Sequence, residues 1–461
     1  MLVLQRRVLG PENAKTLRTG SRLAGAAGGE GRYPQAEELL GQVLKIQRRV
    51  LGSEHPDTLH SMYGLAIIYR EQGKYPQAEA LFGQVLHSNS RVFGLEHANT
   101  LDCMDKLAET YYRERKYPQA ETLGGQVLDM RRRVLGPEHP ETTISMSDLA
   151  NVYVARGRYE MAESLYSQTL EIRRRVLGPD NPFIPAAMNN LAIVRGDEGK
   201  YAQAEALDRQ ALEIRRRVLG PEHPETLMSM DNLACDYTHD GKYVQAEALF
   251  ARTLEVQRRV MGSESQGTLS TLSDAASMYQ REGKYALAEA YAAGTLAAWR
   301  RKLGAQSAVT MEAAAGMVLA YLSQGKFAES ESLAREAVEF DRKNRTDDWQ
   351  RFRAESLLGA SLAGQKKYAE AEPLLLDGYQ GMAAGKTACQ FRTGIISTVP
   401  VNGLLNSTRR GASPTKPANG GRSEIGANSS LDPLFSTPAP SALCYLRKIN
   451  RSDAIPYSTC S

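Results

Sequence analysis

An aromatic residue recurs in this chain at a fixed distance: Tyr33, Tyr75, Tyr117, Tyr159, Tyr201, Tyr243, Tyr285, Phe327 and Tyr368. The first seven intervals are 42 residues each and the last is 41. A sequence this periodic folds as stacked copies of one supersecondary unit. That overrides the few separate globular domains that 461 residues would otherwise suggest. Two glycine marks keep the same period, one represented by Gly31, Gly73 and Gly157, the other by Gly10, Gly52 and Gly94. Two such marks per period imply two chain reversals per period.

The segments between the marks read as helices. After Tyr75, the apolar positions Ala78, Leu81, Phe82, Val85 and Leu86 follow the i, i+3, i+4, i+7 stripe of an amphipathic helix. Pro76 stands in the first turn, where its missing N–H is not needed. Gly94 is placed to end the helix as a C′ residue. The other half of the unit carries Leu59, Met62, Leu65, Ala66 and Tyr69, a second stripe entered through Pro56-Asp57-Thr58. Ala66 and Ala78 allow the two helices to approach closely. One helix–turn–helix cannot stand alone: its apolar side chains return roughly 1.5–3 kcal/mol each. Ordering its backbone costs about 1–2 kcal/mol per residue. Stacking closes that gap, so the expected fold is all-α, a right-handed superhelical solenoid.

The pattern L-A-x-x-Y followed by G-K-Y-x-x-A-E resembles the tetratricopeptide repeat. The 42-residue period and the linker L-G-P-E-H-P-x-T are similar to the kinesin light chain branch of that family, above all over residues 216–257. The resemblance reaches from residue 1 to about 384. It implies groove-lining first helices and a protein-binding role.

Both ends depart from the register. Leu4-Gln5-Arg6-Arg7-Val8-Leu9-Gly10 matches the end of a second helix, so residues 1–29 read as a partial, degenerate first repeat. Its first helix, Thr16 to Gly28, has Ala27 where tyrosine is expected and is glycine-rich, so fraying is expected. The array proper covers 30–384. Residues 385–461 hold 7 of the 20 prolines and 9 basic against 3 acidic residues, which leaves the repeats slightly acidic. This basic, Ser/Pro/Gly-rich tail is expected to be disordered.

Charge balance and motif searches exclude most chemistry. No apolar run reaches transmembrane length, and MLVLQRRVLG has no secretory core. A cytoplasmic chain with reduced cysteines is expected. The E-H-P histidines His55, His97, His139 and His223 fall one per unit. Zinc needs its nitrogens at about 2 Å, so side chains on separate repeats cannot converge, and they read as turn residues. Gly381 to Thr387 misspells a phosphate loop by one residue. The arginine runs Arg131–Arg133, Arg173–Arg175, Arg215–Arg217 and Arg258–Arg259 read as helix-end charges paired with Glu171, Glu213 and Glu255 on the same helices. Cys235 and His239 share a helix face without forming a credible nucleophile. No cofactor, metal, nucleic acid or membrane partner is expected, and the chain does not read as an enzyme.

Carried over from the family, the groove falls on Tyr63, Arg70, Asp105, Glu109, Tyr112, Asn151, Asn189, Asn190, Asp231, Asn232, His239 and Arg281. Asn189-Asn190 and Asp231-Asn232 occupy its Asn-Asn-Leu-Ala place, where a carboxamide offers both donor and acceptor to a peptide backbone. Acidic residues in the third unit (Asp102, Asp105, Glu109) favour a basic partner there. The expected function is a non-catalytic scaffold that binds peptide segments or other proteins, with self-association through uncapped ends as a further expectation. The competing readings are a sensor fragment of a signalling kinase or NTPase and a truncated gene product.

Overall fold

The glycine at each turn sets where the helices stop. Gly52, Gly94, Gly136, Gly220 and Gly262 all have φ near +90°, and Gly73 and Gly241 have φ 74°. Two aromatic-turn copies lack the glycine, and there Arg115 and Lys366 are themselves forced to φ 65° and 64°. A side-chain-bearing residue is disfavoured in this left-handed region, so the backbone path is imposed by the repeat.

The computed structural model describes residues 2–344 and 349–384. These residues contain nineteen helices and no strand, and they divide into two compact units. The first, Met1–Val176, contains α1 (Leu2–Val8), α2 (Ala14–Gly29), α3 (Tyr33–Val50), α4 (Pro56–Glu71) and α5 (Tyr75–Val92). It continues with α6 (Ala98–Arg113), α7 (Tyr117–Val134), α8 (Pro140–Ala155) and α9 (Tyr159–Leu177). The second, from Leu177, starts with α10 (Ile184–Asp197), α11 (Tyr201–Val218), α12 (Pro224–His239), α13 (Tyr243–Val260) and α14 (Gln266–Glu282). It ends with α15 (Tyr285–Leu303), α16 (Ala308–Ser323), α17 (Phe327–Asn344), α18 (Trp349–Gly364) and α19 (Tyr368–Ala384). The division is invisible in the 42-residue period. The tail expected to be disordered, 385–461, lies outside the described residues, as do residues 385–387 of the near-phosphate-loop sequence.

Within each unit consecutive helices pack on one another, and first helices also touch first helices: α2 with α4, α4 with α6, and α10 with α12. This nearest-neighbour stacking is solenoid packing, with first helices sharing one side. The core confirms the stripe: Ala66, Ala78 and Phe82 are fully buried, and Val85 almost so. The first helix does not fray. α2 runs 16 residues from an Asn13 N-cap and buries Leu17, Ala24 and Ala27 against α3. Its glycines allow close approach, since a Cβ on Gly20 would stand 2.8 Å from Val43.

The histidine, the threonine and the glycine of the linker L-G-P-E-H-P-x-T have local roles. The histidines cap helices: Nδ1 of His55, His97, His139 and His223 accepts the backbone N–H two residues on, at 3.1–3.2 Å. Asn181 makes the same bond at 3.0 Å, while Ser265 and Ser307 accept the N–H three residues on. These are the side chains that replace histidine elsewhere. An acceptor for an otherwise orphan N–H is what these side chains share, and Asn181 offers it to the turn before α10 rather than to the helix itself. The threonines Thr100, Thr142, Thr226, Thr268 and Thr310 donate to the preceding turn glycine's carbonyl, each at 2.8 Å.

Candidate functional site

The first-helix side of the first unit is a connected network of charges. Arg70 of α4 is 6% exposed and binds Glu71 at 2.8 Å and Glu109 of α6 at 2.5 Å. Arg113 reaches Glu109 at 2.9 Å and Glu71 at 3.1 Å, and Lys106 reaches Glu109 at 3.3 Å. Burial alone would raise the Glu109 carboxyl, but Arg70, Lys106 and Arg113 together hold it below its ordinary value. Tyr63 donates to Asp102 and sits edge-on to Phe82, with centroids 5.7 Å apart. Burial, reinforced by Asp102, pushes its phenol up. Tyr112 is tilted against Tyr117 at 5.9 Å, and Asn151 Oδ1 accepts from the Tyr166 hydroxyl. The acids expected to attract a basic partner are thus answered from inside: Asp102 by Tyr63, Asp105 by Arg131, and Glu109 by three cations.

Asp105 belongs to a deeper arrangement. Arg131 of α7 is 3% exposed and inserts between α6 and α8. It pairs with Asp105 and donates to Ser145 Oγ at 2.8 Å and the Glu141 carbonyl at 3.1 Å. Burial pushes the Asp105 carboxyl up to about 6, against the pull of Arg131.

In the second unit Asn189 takes the corresponding place. Its Oδ1 accepts from Arg215 at 2.7 Å and its Nδ2 donates to Asp208, while Arg215 also reaches Ser229 at 2.6 Å. Asn189 is therefore committed to internal bonds. Asn190 and Asn232 differ. Both are 2% exposed, and the Asn190 amide nitrogen and Asn232 carbonyl oxygen have no hydrogen-bond partner. They stand 42 residues apart on neighbouring first helices. Asp231 is buried on α12, and His239 stacks on Tyr201 at 6.0 Å. The Arg281 carbonyl accepts from the Tyr243 hydroxyl at 3.4 Å.

The arginine runs find their close partners across repeats. Arg133 binds Glu96 at 3.0 Å, while Arg175 binds Glu138 and Arg259 binds Glu222, each at 2.6 Å. Glu255 on the same helix as Arg259 only adds to its charge environment, after the Glu222 hydrogen bond. The first arginine of the run goes inward, as Arg131 and Arg215 show. The place is inward in every repeat: positions 47, 89, 131, 173, 215 and 257 hold Gln, Asn, Arg, Arg, Arg and Gln, and all six are buried. Among the described residues, Asp231, Cys235 and Asp274 bring three donor atoms within 4.8 Å of one another. Three donors fall one short of the four that a structural zinc takes, and each already has another contact. Cys103 is free and buried.

The tetratricopeptide repeat family model matches residues 12–88, 98–175, 145–216, 183–259, 232–291 and 267–343. None of the curated proteins matches the chain. Among solved structures, the nearly identical TPR-like repeats of a kinesin light chain-type protein from Podosopora anserina are 31% identical. That match covers 44% of this chain and 95% of the other, with a TM-score of 0.41. BtubC (BKLC) from P. vanneervenii is 20% identical, covering 50% and 92%, with a TM-score of 0.45. A signal transduction ATPase with a tetratricopeptide repeat sensor from Pyrococcus horikoshii is 14% identical, covering 75% and 52%, also at 0.45. No helix among the described residues is long and apolar enough to cross a membrane.

Proposed function

Because the chain belongs to the tetratricopeptide repeat family, with 42-residue repeats of the kinesin light chain-like kind, we propose that it is a non-catalytic scaffold whose first helices bind an extended peptide segment of a partner protein. The observation that carries this reading is the pair Asn190 and Asn232. An unsatisfied donor and an unsatisfied acceptor recur one period apart on adjacent first helices. A buried amide atom without a partner costs about 1–3 kcal/mol. Both atoms are buried, so a bound segment would reach them only as the first helices part, and its backbone would then supply the missing acceptor and donor. Asp231, His239 and Arg281 flank these amides in the same unit and would select side chains. In the first unit Tyr63, Arg70, Glu109, Tyr112 and Asn151 are each braced by a neighbouring side chain, so that side would recognise a partner by shape and by exchange of existing ion pairs. Asp105 and Asn189 serve as supports beneath it.

The test is selection of a random peptide display library on the full chain. Enriched sequences are then titrated against wild type and Asn190→Ala/Asn232→Ala. A loss of about tenfold or more in affinity is expected. Undiminished binding of the same peptides overturns this placement of the site.

A further inference from the structure

A second surface lies at the C-terminal edge of the second helices. In the first unit Val50, Val92, Val134 and Val176 are 45–48% exposed, each following an arginine whose side chain is itself solvent-facing. Those arginines, Arg49, Arg91, Arg133 and Arg175, pair with the linker acids Glu12, Glu54, Glu96 and Glu138 of the preceding turn. Both partners of every pair are about half exposed or more. The edge therefore presents one valine and one Glu–Arg rung per period, with acid and base alternating. The second unit carries its own version in Val218 and Val260, with Arg217 on Asp180 and Arg259 on Glu222.

Three properties restrict what fits there. The apolar exposure is paired in successive periods, Val92 with Phe93, Val134 with Leu135 and Val176 with Leu177, rather than scattered singly. Each rung pairs one acid with one base, so the ladder itself adds no net charge to the edge. A partner that meets consecutive rungs must repeat its own groups at the same rise, and the edge of another copy does so. We infer that this edge of the first unit pairs with the same edge of a second copy. In a two-fold arrangement valine packs on valine, and each arginine lies opposite the other copy's glutamate. Such a surface is self-complementary, as a two-fold interface requires, and the charges fix its register. The groove reading is independent of this one.

Sedimentation of the full chain over a wide concentration range tests it. A reversible monomer–dimer equilibrium is expected. Val92→Glu/Val134→Glu is expected to weaken it by about a hundredfold or more while the circular dichroism is unchanged, because both side chains are already exposed. Arg91→Glu/Arg133→Glu is also expected to weaken it. Adding Glu54→Arg/Glu96→Arg restores the alternation and is expected to restore the dimer, which general stickiness would not do. Val134→Cys is expected to give a bismaleimide cross-linked dimer that wild type lacks. A wild type that stays monomeric, or a dimer indifferent to the valine substitutions, overturns the inference.

Discussion

Arg131 in the first unit and Arg215 in the second stand at one position of the repeat, both nearly inaccessible, yet they are compensated differently. Arg131 meets a carboxylate directly, Asp105. Arg215 meets the neutral Asn189, which relays to Asp208 one layer behind. Desolvation lowers the Arg215 pKa, opposed by Glu225 and Asp208. The residue seven places earlier on the same helix explains the difference. Where the inward residue is Gln47, Asn89 or Gln257, that place holds Leu40, Phe82 or Phe250; before Arg131 and Arg215 it holds Gly124 and Asp208. Large apolar residue and short amide, or small or acidic residue and arginine, are two ways of filling one space, and Tyr166 with Arg173 is a third.

Removing the charge tests this most severely. Arg215→Ala strands Asp208, which is fully buried, and should destabilise the fold by about 3–5 kcal/mol in urea unfolding. Asp208→Phe/Arg215→Gln copies the Phe250–Gln257 arrangement. It is expected to cost far less than the sum of its single variants, a coupling that a double-mutant cycle measures. If the single effects simply add, the two residues are not one device.

The next effect is on pH. Asp105 has a raised folded-state pKa, so the native state holds the proton more tightly than the unfolded chain. Its contribution is greatest below about 3.8 and declines as pH rises toward about 6. Glu331 in the second unit has the opposite sign. Lys367, then Arg335, hold it down to about 2, so its contribution is present above 4.5 and lost as pH falls toward 2. Urea midpoints measured across this range should show Asp105→Asn flattening the decline and Glu331→Gln removing the gain. The smallest effect is at a turn: Arg115→Gly relieves a left-handed residue and should stabilise the first unit by about 1 kcal/mol, read as a higher melting temperature.

The period made the helices, the first-turn prolines and the turn glycines legible, because each depends on backbone geometry within a few residues. The histidine's position was legible too, though its bond was not: imidazole is a rare cap, and only its interchange with Asn181, Ser265 and Ser307 points to an acceptor. The internal bonds of Asn189 are not legible in the sequence, because a first helix packs on both its own partner and the next first helix, and a 3.6-residue pattern does not separate those two sides. Arg131 and Arg215 look solvated in one dimension, since charges suit helix ends. Their burial depends on residues from two other helices. Asn190 and Asn232 stand out only once their neighbours' bonds are assigned.

Turn lysines grip a glutamate in the preceding second helix: Lys74 with Glu37, Lys116 with Glu79, Lys242 with Glu205, Lys284 with Glu247, and Lys326 with Glu289. The shortened final period still closes this clasp, Lys367 on Glu331 at 2.8 Å. Since every clasp joins only adjacent modules, unequal recombination between in-register stretches of the gene would add or delete a module without leaving any interior lysine bereft. Length is thus a quantity this architecture can change in whole steps at little structural cost.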